Sequence, residues 1–187
     1  MAEVLIAFAP YIGANLNPNG KIILSGILTD RIDKVEKVLN DFLQKEFELS
    51  VVFGTEFAYN TCTHEVMYTL FGDEDSNNLF MKNFNRLAPD IDCDVFLASL
   101  MHEVGHHHTI FLLEDDEEDY CNKCKHRIEI ESEHLNADSD AERLEELHME
   151  YFNLPDEYEA TMWAIAYIRD NIEKVREFWS KVQDAIM

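Results

Sequence analysis

Between Asp30 and Phe47 the apolar residues Ile32, Val35, Leu39, Phe42 and Leu43 recur at intervals of mostly three and four, with charges between them. That spacing predicts an amphipathic helix, capped by Thr29 or Asp30. The nearly unbroken apolar run from Lys21 to Leu28 predicts a strand before it, and Glu48 to Phe53 predicts a second strand, ended by Gly54. Phe57 to Phe71 is rich in aromatic and β-branched residues and reads as one or two strands. Ser76 to Leu87 sets Leu79, Phe80, Phe84 and Leu87 on one side of a short helix, with Pro89 marking its end. The stretch from about Cys93 to Leu112 is different. After Asp94, a natural N-cap, Val95 to Met101 carries almost no polar residue. A helix apolar on most sides is a buried helix. Asp138 to Phe152 has Leu144, Leu147 and Tyr151 at helical spacing, and Glu157 to Ile186 reads as one helix to the end. Near the start, Glu3 to Ala9 reads as a short strand or a helix start, and Tyr11 to Gly20 as loop and turn. The expectation is a single α+β domain over residues 1–187, its small mixed sheet packed on the buried helix 93–112.

Composition narrows the class. The chain has 187 residues, 47% of them apolar, enough for a sizeable core. Its formal net charge of -23 and pI of about 4.5 disfavour nucleic acid and anionic membrane surfaces as partners. No basic residue precedes the short apolar patch Val4 to Ala9, and Glu3 stands where a signal peptide would be basic. Neither a signal peptide nor a membrane span is expected, which implies a cytoplasmic protein with reduced cysteines.

The buried helix carries the candidate chemistry. His102-Glu103-Val104-Gly105-His106 reads H-E-x-x-H. Residues four apart share one helix face, so His102 and His106 can offer imidazole nitrogens to one metal ion. Zn2+ suits two imidazoles plus a third ligand, with one position left for water. Glu103, rotated by about 100° from His102, can reach that water and act as general base. Polar residues arriving in the middle of an apolar helix are costly unless a metal or hydrogen bonds satisfy them. His107 and His108 do not lie on the face of His102 and His106.

This segment resembles the active-site helix of the zincin metallopeptidases. That resemblance implies a zincin-like α+β fold with an edge strand beside the helix, a part the segment Thr61 to Glu65 could play. A second segment, Asp156-Glu157-Tyr158-Glu159-Ala160-Thr161-Met162-Trp163-Ala164, resembles the E-x-E-A-x-x-F-A segment of the ImmA/IrrE-like minimal metallopeptidases. By that match Glu157 is the third metal ligand, with Glu159 as the alternative. Asp156 and Glu159 have the spacing of a capping box, which would give Glu159 a structural task. Between the two motifs lie an acidic run, Glu114 to Asp119, and the rival ligands Glu131, Glu133 and His134. The resemblance implies zinc-dependent peptide-bond hydrolysis acting on a protein or peptide, as ImmA/IrrE-like enzymes act on regulatory repressors. His148, Tyr151 and Tyr158 are candidates for stabilising the tetrahedral intermediate.

Cys121 and Cys124, with His126, form half of a possible second zinc site. It would need a further ligand, such as His134, Cys62 or Cys93; the alternative is a loop with two reduced cysteines. Two rival functions remain at this level. One is a zinc-binding sensor or scaffold without turnover. The other is an acidic interaction protein in which the H-E-x-x-H pattern is coincidental.

Overall fold

The structure is a computed structural model. It describes residues 15–16, 22–23, 26–70, 74–109, 125–130, 132–133 and 141–187, with side chains from residue 30 onward except those of 74–76 and 141. The described elements are β1 (Asn15–Leu16), β2 (Ile22–Ile23), α1 (Gly26–Phe47), β3 (Ser50–Phe53), β4 (Ala58–Asn60) and β5 (Glu65–Tyr68), followed by α2 (Glu74–Leu87), α3 (Val95–Thr109), α4 (Ala141–Phe152), α5 (Pro155–Asp170) and α6 (Ile172–Ile186). A further helical stretch covers residues 125–130. The class is mixed α+β, mostly helical, with a small three-stranded sheet. No helix among the described residues is long and apolar enough to cross a membrane.

The chain divides into two compact units, residues 1–73 with 172–187, and residues 74–171. In the first unit, α1 buries Ile32, Val35, Leu39 and Leu43 along one stripe, as their spacing predicts. Helix α6 answers with Val175, Phe178 and Val182, and Phe178 stacks on Phe42 with ring centroids 4.0 Å apart. The sheet runs in the order β3-β5-β4, with β3 parallel and β4 antiparallel to β5. Asn40 accepts a hydrogen bond from the Val51 backbone N–H at 3.0 Å, and the buried Tyr68 hydroxyl donates to the Ile32 carbonyl at 3.3 Å; both tie sheet to α1.

Three expectations for this unit change. Within Tyr11 to Gly20, read as loop and turn, Asn15–Leu16 forms β1 and pairs antiparallel with Ile22–Ile23. The predicted strand from Lys21 to Leu28 shrinks to Ile22–Ile23, and the helix begins at Gly26. A short apolar run has no period that separates strand from buried helix. The segment Thr61 to Glu65 is not an edge strand. Its first four residues turn between β4 and β5, and Glu65 opens the central strand.

The second unit carries the H-E-x-x-H segment. Asp94 caps α3, its carboxylate accepting from the Leu97 N–H at 3.1 Å. From Leu97 to Gly105 every residue of α3 is buried, so the absence of a polar face in the sequence reflects enclosure on all sides. Helix α5 packs closely on α3. A Cβ on Gly105 would fall inside the van der Waals envelope of the Ala160 carbonyl and Cα, so only glycine permits this approach. Ile130, Leu147 and Leu154 form a small core with Tyr151 against it, seating the 125–130 stretch on α4 and on the turn into α5. Arg169 bonds Asp90 at 2.9 Å at the far end of α5.

The predicted helix from Glu157 to Ile186 is two helices. It breaks at Asn171, whose side chain donates to the Tyr167 carbonyl at 3.0 Å, and the parts belong to different units. The expected helix start at Glu3 to Ala9, the acidic run Glu114 to Asp119 and residues 110–112 lie outside the described residues.

Candidate metal centre

Three ligand atoms converge between α3 and α5. His102 Nε2 lies 3.0 Å from Glu157 Oε2 and 3.1 Å from His106 Nε2; His106 Nε2 lies 3.4 Å from the same carboxylate oxygen. Among the described residues, these three make the His/Cys/Asp/Glu group whose donor atoms all fall within 4.8 Å of one another. Helical spacing brings the two histidines together. The glycine contact brings Glu157 to them from 55 residues away. His102 is 6% exposed and Glu157 5%, so neither is solvated by bulk water, and the atoms they turn to each other, His102 Nε2 and Glu157 Oε2, depend on one another or on an ion.

Hydrogen bonding fixes the protons. The Thr161 hydroxyl donates to the Glu157 carbonyl at 2.9 Å. Having spent its proton there, it accepts from His102 Nδ1–H at 2.9 Å. A neutral His102 ring then carries a lone pair on Nε2, aimed at the carboxylate and at the other imidazole. Two nitrogen lone pairs and a carboxylate oxygen within 3.4 Å repel unless a proton or a cation lies among them. A second partner that sets the tautomer of a ligating histidine is a recurring feature of metal sites. Phe80 meets the His102 ring edge-on at 5.6 Å and closes its apolar side.

The electrostatics follow the same pattern. Burial opposes charge on Glu157, but a proton held between its carboxylate and the facing imidazoles of His102 and His106 stands where a cation would and keeps its carboxyl well below the usual range. Burial likewise favours a neutral His106, yet the bond and charge of Glu157, with Glu103 and Asp156, raise its pKa. A proton on His106 and a divalent cation therefore compete for one lone pair.

Arg127, from the 125–130 stretch, completes the surroundings. Its Nη1 donates to Glu157 Oε1 at 2.7 Å and to the Tyr151 hydroxyl at 2.6 Å, while Nη2 pairs with Asp156. Burial works against its charge, and Glu157, Tyr151 and Asp156 outweigh burial, raising its pKa further.

The remaining sequence candidates fall as follows. Glu103 is buried beside the histidines and outside the three-atom group. Glu159 is exposed and takes no part in the group. The expected capping box is absent: Leu154 is the N-cap of α5, with no side-chain cap bond, and Asp156 goes to Arg127. Proline at the start of α5 needs no cap for the N–H it lacks. Tyr151 engages Arg127, Tyr158 is exposed and His148 is half-buried. Glu133 pairs with Arg143 rather than joining the cluster. His126 is exposed, near Glu129 and Glu150. Cys62 is exposed, and burial, with Asp94 and Asp92, pushes the Cys93 thiol up to about 12. Cys121, Cys124, Glu131 and His134 lie outside the described residues. Arg127 went unnoticed in the sequence, because a lone arginine among acidic residues reads as a surface ion pair.

The family model described as ribosomal protein L11 methyltransferase (PrmA) matches residues 1–53. No curated protein matches, and no solved structure matches. The matched family is one of enzymes, and its reaction is methyl transfer. This finding overturns the expected membership among zincin, ImmA/IrrE-like metallopeptidases and, with it, zinc-dependent peptide-bond hydrolysis as the function. The physical reason the pattern misled is that H-E-x-x-H spacing encodes ligand geometry on a helix face, which does not specify a reaction. The matched residues precede every member of the His102, His106 and Glu157 group.

Proposed function

We propose that the second unit binds one divalent transition metal ion, of which zinc is the best fit, through His102 Nε2, His106 Nε2 and Glu157 Oε2. The observation that carries this is the convergence of three donor atoms, from the buried His102 and Glu157 and the half-buried His106, with the His102 tautomer already set by Thr161. Two imidazoles and one carboxylate suit zinc in charge and softness and leave a position open to a further ligand. When bound, such an ion supplies Lewis acidity to whatever occupies that position. The chain's own groups do the rest. His102 and His106 are presented by one helix face, Thr161 keeps the His102 proton away from the centre, and Glu103 places a second carboxylate beside the histidines.

Zinc stoichiometry of the purified protein tests the reading. About one ion per chain is expected for wild type and for Glu159→Ala, and loss of binding for His102→Ala and Glu157→Ala. Full retention of zinc by Glu157→Ala would remove the assignment.

A second reading rests on the family match over residues 1–53: an enzyme of methyl transfer. Calorimetric titration with S-adenosylmethionine tests it, with saturable binding expected. Absence of any binding would remove that reading and leave the metal centre untouched.

A further inference from the structure

The two oxygens of Glu157 face different partners. Oε2 points at the imidazole pair, and Oε1 accepts from Arg127 at 2.7 Å. We infer that Arg127 is a positioning residue that divides the Glu157 carboxylate, committing Oε1 to the guanidinium so that Oε2 alone is presented to the metal. The inference rests on the metal reading above.

Three observations support it. First, Arg127 is itself held. Its Nη1 also donates to the Tyr151 hydroxyl at 2.6 Å, its Nη2 pairs with Asp156, and its guanidinium carbon lies 5.0 Å from the Tyr151 ring centre. A planar fork with several fixed partners sets the plane of a carboxylate in a way that a flexible ammonium cannot. Second, the stretch that carries Arg127 is anchored by Ile130 in the small core with Leu147 and Leu154, so the fork does not depend on solvent-exposed backbone for its place. Third, the charges close. A positive group beside a cation site would ordinarily weaken binding, but Asp156 offsets the Arg127 charge and leaves the Glu157 charge for the ion. Orientation is therefore the larger effect of the arginine.

The consequence is one-oxygen ligation by Glu157. A carboxylate free to rotate could place both oxygens on the ion and fill the position that otherwise takes an outside ligand. Outer-shell partners of this kind typically change metal affinity by about 10- to 100-fold.

The test is titration of the metal-free protein with zinc and with cobalt(II). Zinc affinity is read by competition with a chromophoric chelator, and coordination number from the cobalt visible bands, which are much stronger for four ligands than for five or six. Arg127→Ala is expected to lose about 10- to 100-fold in zinc affinity and to weaken the cobalt bands. A merely structural role would lower thermal stability and leave the cobalt spectrum of the bound fraction unchanged, which would overturn the inference. So would wild-type affinity together with a wild-type spectrum. Should Arg127→Ala fail to fold, Arg127→Lys decides, because a lysine cannot span Glu157, Asp156 and Tyr151 together. Weakened affinity with weakened bands supports the inference; wild-type values overturn it. A wild-type protein that takes up neither metal overturns the metal reading itself, a result distinct from any of these.

Discussion

A neutral imidazole has one proton, and where His102 keeps it decides what its other nitrogen can bind. The Thr161 hydroxyl makes that choice by accepting from Nδ1 while it donates along its own helix to Glu157. Thr161→Val removes the acceptor and nearly keeps the shape. It is expected to weaken zinc binding by about 10- to 100-fold, whereas Thr161→Ser keeps the hydroxyl and most of the affinity. Equal affinity in all three proteins would show that the tautomer needs no such support. At this scale the sequence was informative about the histidines, since their spacing alone puts them on one face. It was silent on Thr161 and Arg127 as partners. Thr161 meets His102 from 59 residues away and Arg127 meets Glu157 from 30, and no local pattern encodes either pairing. The choice of Glu157 over Glu159 was open in the sequence because it depends on where the last turns of chain begin. The structure separates them by burial, with Glu157 enclosed and Glu159 exposed.

The pair of helices α3 and α5 is the element on which the centre depends, and Gly105 is where they touch. Gly105→Ala forces a methyl group against the Ala160 backbone, which cannot rotate away as a side chain could. Overpacking of this kind costs about 1–3 kcal/mol, and here it also moves Glu157 away from the histidines. A lower midpoint in urea and a weaker zinc affinity are expected together. A destabilised variant with undiminished affinity would mean that the ligands do not rely on this contact. Helix existence was largely legible, from periodicity in α1, α2 and α4 and from a nearly unbroken apolar run in α3. Boundaries were less so. The break at Asn171 has no glycine or proline to announce it, and both flanking segments keep helical spacing, so the sequence reads straight through. The short apolar run after Lys21 gave the opposite error, a helix start read as strand, because length was the remaining guide.

Over the whole molecule the dominant quantity is a net charge of -23. Like charges confined to a compact chain repel, and salt shortens the range of that repulsion to about 10 Å at 0.1 M. The melting temperature is expected to rise with sodium chloride over the low-salt range; a fall would show that attractive ion pairs such as Lys174–Glu46 outweigh the repulsion. The same charge was legible from composition, but the division into two units was not. Each half contributes apolar faces of ordinary spacing, and nothing local records that residues 172–187 return to the first unit. The central claim is that one metal ion sits on His102, His106 and Glu157, and its most direct test is zinc-edge X-ray absorption on protein loaded with one equivalent of zinc. The account predicts nitrogen and oxygen neighbours at about 2.0–2.1 Å with the outer-shell signature of two imidazoles. A sulfur shell at about 2.3 Å, as Cys121 and Cys124 would give, or a spectrum without imidazole, would contradict it.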